Sequence, residues 1–283
     1  FRLKEDSATI ILSVDDNAEA QVAFIYYGSF QGGWQYSSKI IQKETRITIP
    51  KNNNLNVLKD ITKSEGLAFD PEIVRIVLPY GTCYFVGVEG EVEPPLKEQL
   101  PAKTYLAYGS SITHGSLALA APYTYPFRIS QILKCDYYNL GFAGSAHLEK
   151  EMAEYIVSRK DWDFASVEMG INMLNAYSLE SFEERVTEFT DILAKDGRPV
   201  FATSIFGFTG PEQEKADKFR EIVKKHTSKK LIYTDGLELL NNPAFVAADL
   251  VHPTLEGIAQ ISERWVKIMK NYFDNENHIS YHN

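Results

Sequence analysis

The chain has 283 residues, of which 44% are apolar and 12% aromatic, and its formal net charge is -9. This length suits one large or two ordinary domains. The acidic balance argues against a nucleic-acid partner, which needs a basic face, and no segment approaches the roughly 18 apolar residues of a membrane span. We therefore expect a soluble protein that acts on a neutral or weakly polar small molecule.

The two cysteines, Cys83 and Cys135, lie far apart and have no zinc or redox spacing. We expect two buried free thiols and no disulfide framework. No signal-peptide pattern is visible, so we favour a cytoplasmic location. Secretion stays open because the sequence begins at Phe1 rather than Met. A homo-oligomer also stays open.

Residues 1–93 are rich in β-branched and aromatic runs that predict strands, separated by Asp, Asn and Gly turns. The expected strands are 8–14, 20–27, 45–50, 72–78 and 83–90. Short strands at this spacing, with almost no helical period, predict an N-terminal β-sandwich with a jelly-roll-like topology.

The segment 91–101 contains three prolines and a charged run, which is typical of an extended connector rather than a packed element. We therefore place a β-sandwich accessory domain at 1–93, a linker at 94–102 and a catalytic domain at 103–283.

After residue 103 strand-like and helical patterns alternate. The expected strands are 105–108, 137–140, 164–168, 199–204 and 231–234, and the expected helices are 124–133, 149–159, 178–195, 211–226 and 254–271. Alternation of this kind predicts right-handed βαβ units and a parallel sheet covered on both faces, which is a three-layer α/β/α domain.

Two adjacent serines, Ser110 and Ser111, follow the apolar strand 105–108 at the point where the chain must bend. The carboxyl ends of parallel strands meet in one crevice, where α/β proteins place their sites. A serine there acts as a nucleophile only if a base and an oxyanion pocket come from elsewhere in the chain.

The segment 249–253, Asp-Leu-Val-His-Pro, directly precedes the last expected helix and can supply the base. A three-residue spacing lets the Asp249 carboxylate reach Nδ1 of His252 and leaves Nε2 free for a serine. Pro253 suits the first helical turn, where no N–H is needed. The alternative is a helix-capping Asp beside an incidental exposed His, and spacing alone favours that alternative.

Two other strand ends carry groups that can stabilise an oxyanion. Gly144, in a glycine-containing loop after strand 137–140, can offer its backbone N–H, and Asn172, after the turn at Gly170, can offer its side-chain NH₂. Taken singly, these are an ordinary loop and an Asn that satisfies its own turn.

Together these segments resemble the GDSL/SGNH hydrolase family. The matching segments are 109–113 (Gly-Ser-Ser-Ile-Thr), 139–144, 170–172 and 249–253, in family order, and the resemblance covers roughly residues 103–271. It implies a flavodoxin-like hydrolase domain and a carboxylic ester hydrolase that works through an acyl-enzyme.

The resemblance also implies the residue roles. Ser111 is the expected nucleophile, His252 the base and Asp249 the acid of a Ser-His-Asp triad. The expected oxyanion hole consists of the Ser111 and Gly144 N–H groups and the Asn172 amide. No cofactor is expected, and no His/Asp/Glu cluster has metal-ligand spacing.

Two positions depart from the family pattern: Ser110 stands where Asp is usual, and Met173 stands where Asp often follows the Asn. Neither belongs to the triad, so we expect catalysis to survive, with the hydrogen bonding of the turn and the substrate choice left open. We expect His114 and His147 to pack locally, and Glu168, at a strand end, to meet a helix N-terminus.

An N-terminal β-sandwich resembles that of two-domain esterases of this superfamily, which include carbohydrate esterases and an acyltransferase. We expect hydrolysis of short acyl esters, acetyl above all, on a carbohydrate or other small polar molecule, because no extended apolar lid is visible. Tyr123, Phe206 and Val251 are the expected substrate contacts. An acyltransferase with the same triad stays open, as does, from another class, a non-catalytic carbohydrate-binding protein.

Overall fold

The computed structural model describes residues 1–280. They divide into two compact units, the first made of residues 1–102, 120–122 and 134–136 and the second of residues 103–119, 123–133 and 137–280. In this part of the chain, no helix combines the length and the apolar character that crossing a membrane requires.

The first unit is built of antiparallel strands and one helix. Its elements are β1 (Arg2–Leu3), β2 (Ser7–Ser13), β3 (Gln21–Tyr27), β4 (Phe30–Gln31), β5 (Ser38–Ile41), β6 (Glu44–Pro50), α1 (Leu55–Glu65), β7 (Val74–Val77), β8 (Tyr84–Glu89) and β9 (Val92–Glu93). The predicted antiparallel, β-rich N-terminal region is therefore confirmed.

Two sheets of the first unit share one apolar core. Strand β2 lies between β6 and β8, while β3 pairs with β4, β5 and β7. Alternate residues of β2 are buried, as expected for a strand with one core-facing side. Ile10 and Leu12 from the first sheet meet Ile25 and Ile41 from the second, and most connections cross between the sheets.

Helix α1 contradicts the expectation of almost no helical period before residue 93. None of its residues is fully buried, and Gly66 ends it in the left-handed conformation, with φ of 57°. Leu55, Leu58 and Ile61 recur at the three-residue spacing of a helix face, so the sequence does carry a short helical period here.

Residues 94–102 pack with the first unit. They contain a 3₁₀ turn at Lys97–Gln99, and the buried Gln99 donates from Nε2 to Oε2 of Glu72 at 2.9 Å. This segment is therefore not purely extended, and the domain boundaries drawn from the sequence stay a prediction.

The second unit contains a five-stranded sheet in the order β11-β10-β12-β13-β14. Its strands are β10 (Thr104–Gly109), β11 (Asp136–Gly141), β12 (Phe164–Glu168), β13 (Val200–Thr203) and β14 (Ile232–Thr234). Its helices are α2 (Ser111–His114), α3 (Tyr125–Leu133), α4 (Lys150–Ser158), α5 (Leu179–Ala194), α6 (Gln213–Thr227), α7 (Gly236–Leu239) and α8 (Leu255–Ser280).

Every residue of the strand β12 is buried, which indicates that helices cover both faces of this sheet. On one face Tyr108 packs against Phe189 of α5, with ring centroids 5.1 Å apart. On the other face Phe164 packs edge-on against Phe273 of α8 at 5.2 Å. The predicted α/β domain with a covered parallel sheet is confirmed, and its carboxyl edge gathers the loops that carry the candidate site.

Candidate active site

A cleft of about 610 Å³ opens at the carboxyl ends of the strands in the second unit. Each of the four segments singled out in the sequence contributes to its lining: Ser111, Gly144, Asn172, Asp249, Val251 and His252. Apolar side chains, chiefly Ile171, Leu174 and Phe208, form much of the remaining wall.

Ser111, His252 and Asp249 form one hydrogen-bonded chain. Oγ of Ser111 lies 2.7 Å from Nε2 of His252, and Nδ1 of His252 lies 2.8 Å from Oδ2 of Asp249. With the proton on Nδ1, the imidazole donates to the carboxylate and Nε2 accepts from the serine hydroxyl. This arrangement can remove the proton of Ser111 as its oxygen attacks a carbonyl carbon.

The end of β10 places Ser111 at the first position of helix α2. Ser110 caps this helix, since its Oγ accepts the backbone N–H of Ile112 at 3.1 Å. The helix ends after one turn at Gly115, whose φ of 117° favours glycine. Ser111 is 8% exposed, so only its cleft-facing side is open.

Local hydrogen bonds shape the loop that carries the other two residues. Oδ1 of Asp249 accepts the backbone N–H groups of Val251 at 3.0 Å and His252 at 2.9 Å. Burial raises the pKa of Asp249, but these donors and the His252 ring outweigh it, so that this pKa lies below its usual range. The carboxylate thus stays charged and fixes the ring orientation.

The segment 209–210 forms hydrogen bonds with the loop that carries Asp249 and His252. The carbonyl oxygen of Leu250 accepts the N–H groups of Thr209 at 2.9 Å and Gly210 at 3.1 Å. Leu250 itself has a φ of 69°, a left-handed conformation that is rare for a leucine. The loop 249–252 is therefore held in a specific bend by backbone contacts.

Gly144 and Asn172 lie in the same cleft as Ser111. Oδ1 of Asn172 accepts the Ala146 N–H at 3.2 Å, which fixes the amide and leaves its NH₂ as a donor on the other side. Gly170 has a φ of 118°, and a Cβ there would lie 2.9 Å from Cγ1 of Ile205, so the turn before Asn172 requires glycine.

Of the three expected substrate contacts, only Val251 belongs to the cleft lining. Phe206 is 2% exposed and packs edge-on against Tyr125, and neither it nor Tyr123 lines the cleft, whereas Val251 does. Phe208, two residues after Phe206, lines the cleft instead. A single sequence shows an aromatic pair at this strand end, but not which member turns outward.

The other candidate residues lie outside the cleft. His114 and His147 do not belong to its lining, and the His147 ring packs 5.4 Å from the Tyr177 ring. Neither cysteine takes part in a disulfide: Cys135 is buried as expected, but Cys83 is only half-buried. Within residues 1–280, no group of three or more His, Cys, Asp or Glu side chains is arranged to hold a metal ion.

Residues 102–205 match the model of the GDSL-like Lipase/Acylhydrolase family. Residues 102–205, which include Ser111, Gly144 and Asn172, are thus similar to that family of lipases and acylhydrolases. The chain is therefore an enzyme of carboxylic ester chemistry, a hydrolase or an acyltransferase. A comparison of the sequence with curated proteins found no significant match.

Similar solved structures span nearly the whole chain. One is a protein described as a GDSL-like lipase from Bacteroides ovatus, with 17% identity, 94% of this chain and 82% of that chain covered, and a TM-score of 0.63. Another is the salicylyl-acyltransferase SsfX3 from a tetracycline biosynthetic pathway, with 15% identity, coverages of 96% and 81%, and a TM-score of 0.67. A third is the acetyl xylan esterase Est2A from Butyrivibrio proteoclasticus, with 10% identity, coverages of 95% and 88%, and a TM-score of 0.59. At these identities the similarity shows a shared fold.

Proposed function

We propose that this protein is a serine esterase that hydrolyses short acyl esters, acetyl esters above all, through Ser111, His252 and Asp249. The observation that carries the proposal is the pair of hydrogen bonds, 2.7 Å and 2.8 Å long, that joins the hydroxyl, the imidazole and the carboxylate. Spacing alone left Asp249 and His252 open to a capping interpretation, and their contact with Ser111 favours catalysis.

In the proposed reaction, His252 takes the proton of Ser111 while Oγ attacks the ester carbonyl carbon. The oxyanion of the tetrahedral intermediate accepts hydrogen bonds from the N–H groups of Ser111 and Gly144 and from the Asn172 amide. His252 then protonates the departing alcohol, which leaves the acyl group on Ser111. Water, deprotonated by His252, attacks this acyl-enzyme and releases the acid and the free serine.

The cleft wall supports a small, uncharged acyl group. The residues that line it, all in the described part of the chain, include no Lys or Arg but two acidic residues, Asp249 and Glu212. An anionic acyl group would meet unfavourable charge there. Ser116 and Asn175 offer hydrogen bonds to a polar alcohol. We therefore propose an acetylated carbohydrate or similar polyol as substrate, the substrate type in the name of Est2A.

An acyltransferase needs the same triad but a different acceptor. The fold shared with SsfX3 over 96% of this chain keeps this second candidate in view. Product analysis with an added alcohol separates the two: an esterase releases mainly free acid, whereas a transferase gives mainly the new ester.

The test of the proposal is a series of nitrophenyl esters of rising acyl length, assayed with the wild type and Ser111→Ala. We expect the highest kcat/KM at acetate and a loss of about 10⁴-fold or more in kcat for the variant, because the nucleophile is gone. Near-native turnover by Ser111→Ala would contradict the mechanism. A maximum at long chains would contradict the substrate assignment alone.

A further inference from the structure

Glu168, the last residue of β12, lies beneath the nucleophile turn and outside the cleft lining. Its side chain is almost fully buried, at 2% exposure. Oε2 accepts the Ser110 N–H at 2.9 Å, and the Ser110 hydroxyl lies 2.9 Å from Oε1 and 2.7 Å from Oε2. A strand-end carboxylate thus binds the residue immediately before the nucleophile.

Thr113 completes this set of contacts from the other side of the turn. Its Oγ1 lies 2.9 Å from Oε2 of Glu168 and 2.7 Å from the hydroxyl of the buried Tyr125. If Tyr125 donates to Thr113, then Thr113 donates to Glu168. Glu168 then accepts three hydrogen bonds: from the Ser110 N–H, the Ser110 hydroxyl and the Thr113 hydroxyl. An ionised carboxylate can only accept hydrogen bonds, so it matches these three donors. A buried charge needs such hydrogen-bond partners because it has lost its contact with water.

The chain leaves space for this carboxylate at Gly109. A Cβ on Gly109 would lie 2.6 Å from Oε2 of Glu168 and 2.9 Å from its Cβ. Such contacts cannot be accommodated between two adjacent buried strands without a shift of the backbone. The close approach of Glu168 to the turn is therefore built into the sequence at residue 109.

We propose that Glu168 is a positioning residue, which holds the Ser110–Thr113 turn so that Ser111 faces His252 and whose charge favours the imidazolium formed during acyl transfer. Ser110 provides no carboxylate where the GDSL pattern usually has Asp, and Glu168 supplies one to the same turn from the neighbouring strand. This inference rests on the proposed esterase function.

The charges around the two groups agree with this assignment. Burial raises the pKa of Glu168, while the Ser110 and Thr113 donors and a positive charge on His252 oppose that rise. Three acidic groups act near His252: Asp249 bonds its Nδ1 at 2.8 Å, Glu168 of β12 interacts with it electrostatically, and Glu212 lines the same cleft. Glu168 is the buried member of this set.

The test compares Glu168→Gln with Ser110→Ala. The first removes the charge and keeps the shape, whereas the second keeps the charge and removes the hydroxyl. Thr227→Val is the control, because Thr227 is buried in α6 and bonds the Val223 carbonyl oxygen away from the site. Activity on nitrophenyl acetate is measured against pH, per folded molecule, beside the wild type and Ser111→Ala.

For Glu168→Gln we expect kcat to fall about 10- to 100-fold with KM changed less than about threefold, the size expected for lost charge-assisted hydrogen bonds to a positioned group. The acid limb of kcat/KM should move to lower pH, because the imidazolium loses a neighbouring negative charge. Ser110→Ala should lose about tenfold in kcat without this movement, and Thr227→Val should retain its kcat.

A Glu168→Gln enzyme with wild-type kcat and an unmoved acid limb would overturn the inference. If that variant does not fold, Ser110→Ala decides: a kcat within twofold of the wild type would also overturn it. Failure of the proposed function is distinguishable, because then the wild type is inactive or Ser111→Ala stays active, and both proposals fall together.

Discussion

The two sides of the candidate site are built differently. The nucleophile turn is buried: Ser110 is 1% exposed, Ser111 8%, and a carboxylate from another strand lies beneath them. The loop 249–252, which carries the other two residues, lies at the surface: the side chain of His252 is 24% exposed and that of Asp249 44%. Tertiary contacts thus fix the serine, whereas short-range hydrogen bonds within 249–252 fix its base.

This difference predicts different responses to substitution. Removing a partner on the buried side leaves polar groups without water to replace it, so stability and activity both respond. On the exposed side, water can take over a lost contact, so activity responds more than stability. Three variants test this contrast.

Asn172→Ala should have the largest of the three effects, a loss of about 10²- to 10³-fold in kcat, because an oxyanion donor acts mainly in the transition state. Steady-state kinetics on nitrophenyl acetate measure it. Asn242→Ala, which removes an amide that caps the 3₁₀ turn Pro243–Phe245 outside the cleft lining, is the matched control and should retain kcat within about threefold. Equal losses in both variants would remove Asn172 from the oxyanion hole.

Asp249→Asn should lower kcat about 10- to 100-fold, less than the roughly 10⁴-fold known for a buried triad aspartate. The reason is that the half-exposed carboxylate shares with water the task of stabilising the imidazolium. Thermal unfolding should change little. A loss as large as that of Ser111→Ala would show that the loop closes over Asp249 during the reaction.

The smallest effect is the dependence of stability on pH, with opposite signs for the two carboxylates. Burial raises the pKa of Glu168 in the folded state, so the folded chain binds that proton more tightly than the unfolded chain. The stability of the wild type relative to Glu168→Gln should be highest below the ordinary Glu pKa of about 4.3 and fall as the pH rises.

For Asp249 the folded pKa is lowered, since its hydrogen-bond donors outweigh the raising effect of burial. The wild type should therefore be more stable than Asp249→Asn above about pH 3.9, and this difference in the free energy of unfolding should be lost as the pH falls. Urea unfolding of both variants from pH 3 to 8 measures both trends. Parallel slopes would contradict the assignment of buried and exposed sides.

The sequence predicts the loop 249–252 better than the buried side of the site. Asp249 and His252 are three residues apart and their contacts are local, so the sequence shows that they can meet, although spacing alone favours a capping Asp. The contact of Ser110 with Glu168 joins residues 58 positions apart on neighbouring strands, and no local pattern encodes it. The expectation that Glu168 meets a helix N-terminus named the right kind of neighbour, but not the role that we now propose for it.

The fold shows the same division. The strands and helices of the second unit repeat a period that the sequence displays, and most were predicted within two residues. The exceptions are the short helices α2 and α7 and the end of α8, which extends to Ser280 rather than to residue 271. Helix α1 was missed although Leu55, Leu58 and Ile61 have helical spacing, because the segment is short and lies among strands. The direction of Phe206 depends on its packing against Tyr125, which the sequence does not display. Patterns therefore predict elements, while the direction of one side chain depends on its neighbours.

Gly109 has a practical consequence for altering the enzyme. Glycine is required at this position because there is no room for a Cβ atom, which would collide with both Glu168 and Thr113. Libraries that aim at new ester preferences should therefore spare the floor of the pocket and randomise its partly buried wall, at Ile171 and Phe208.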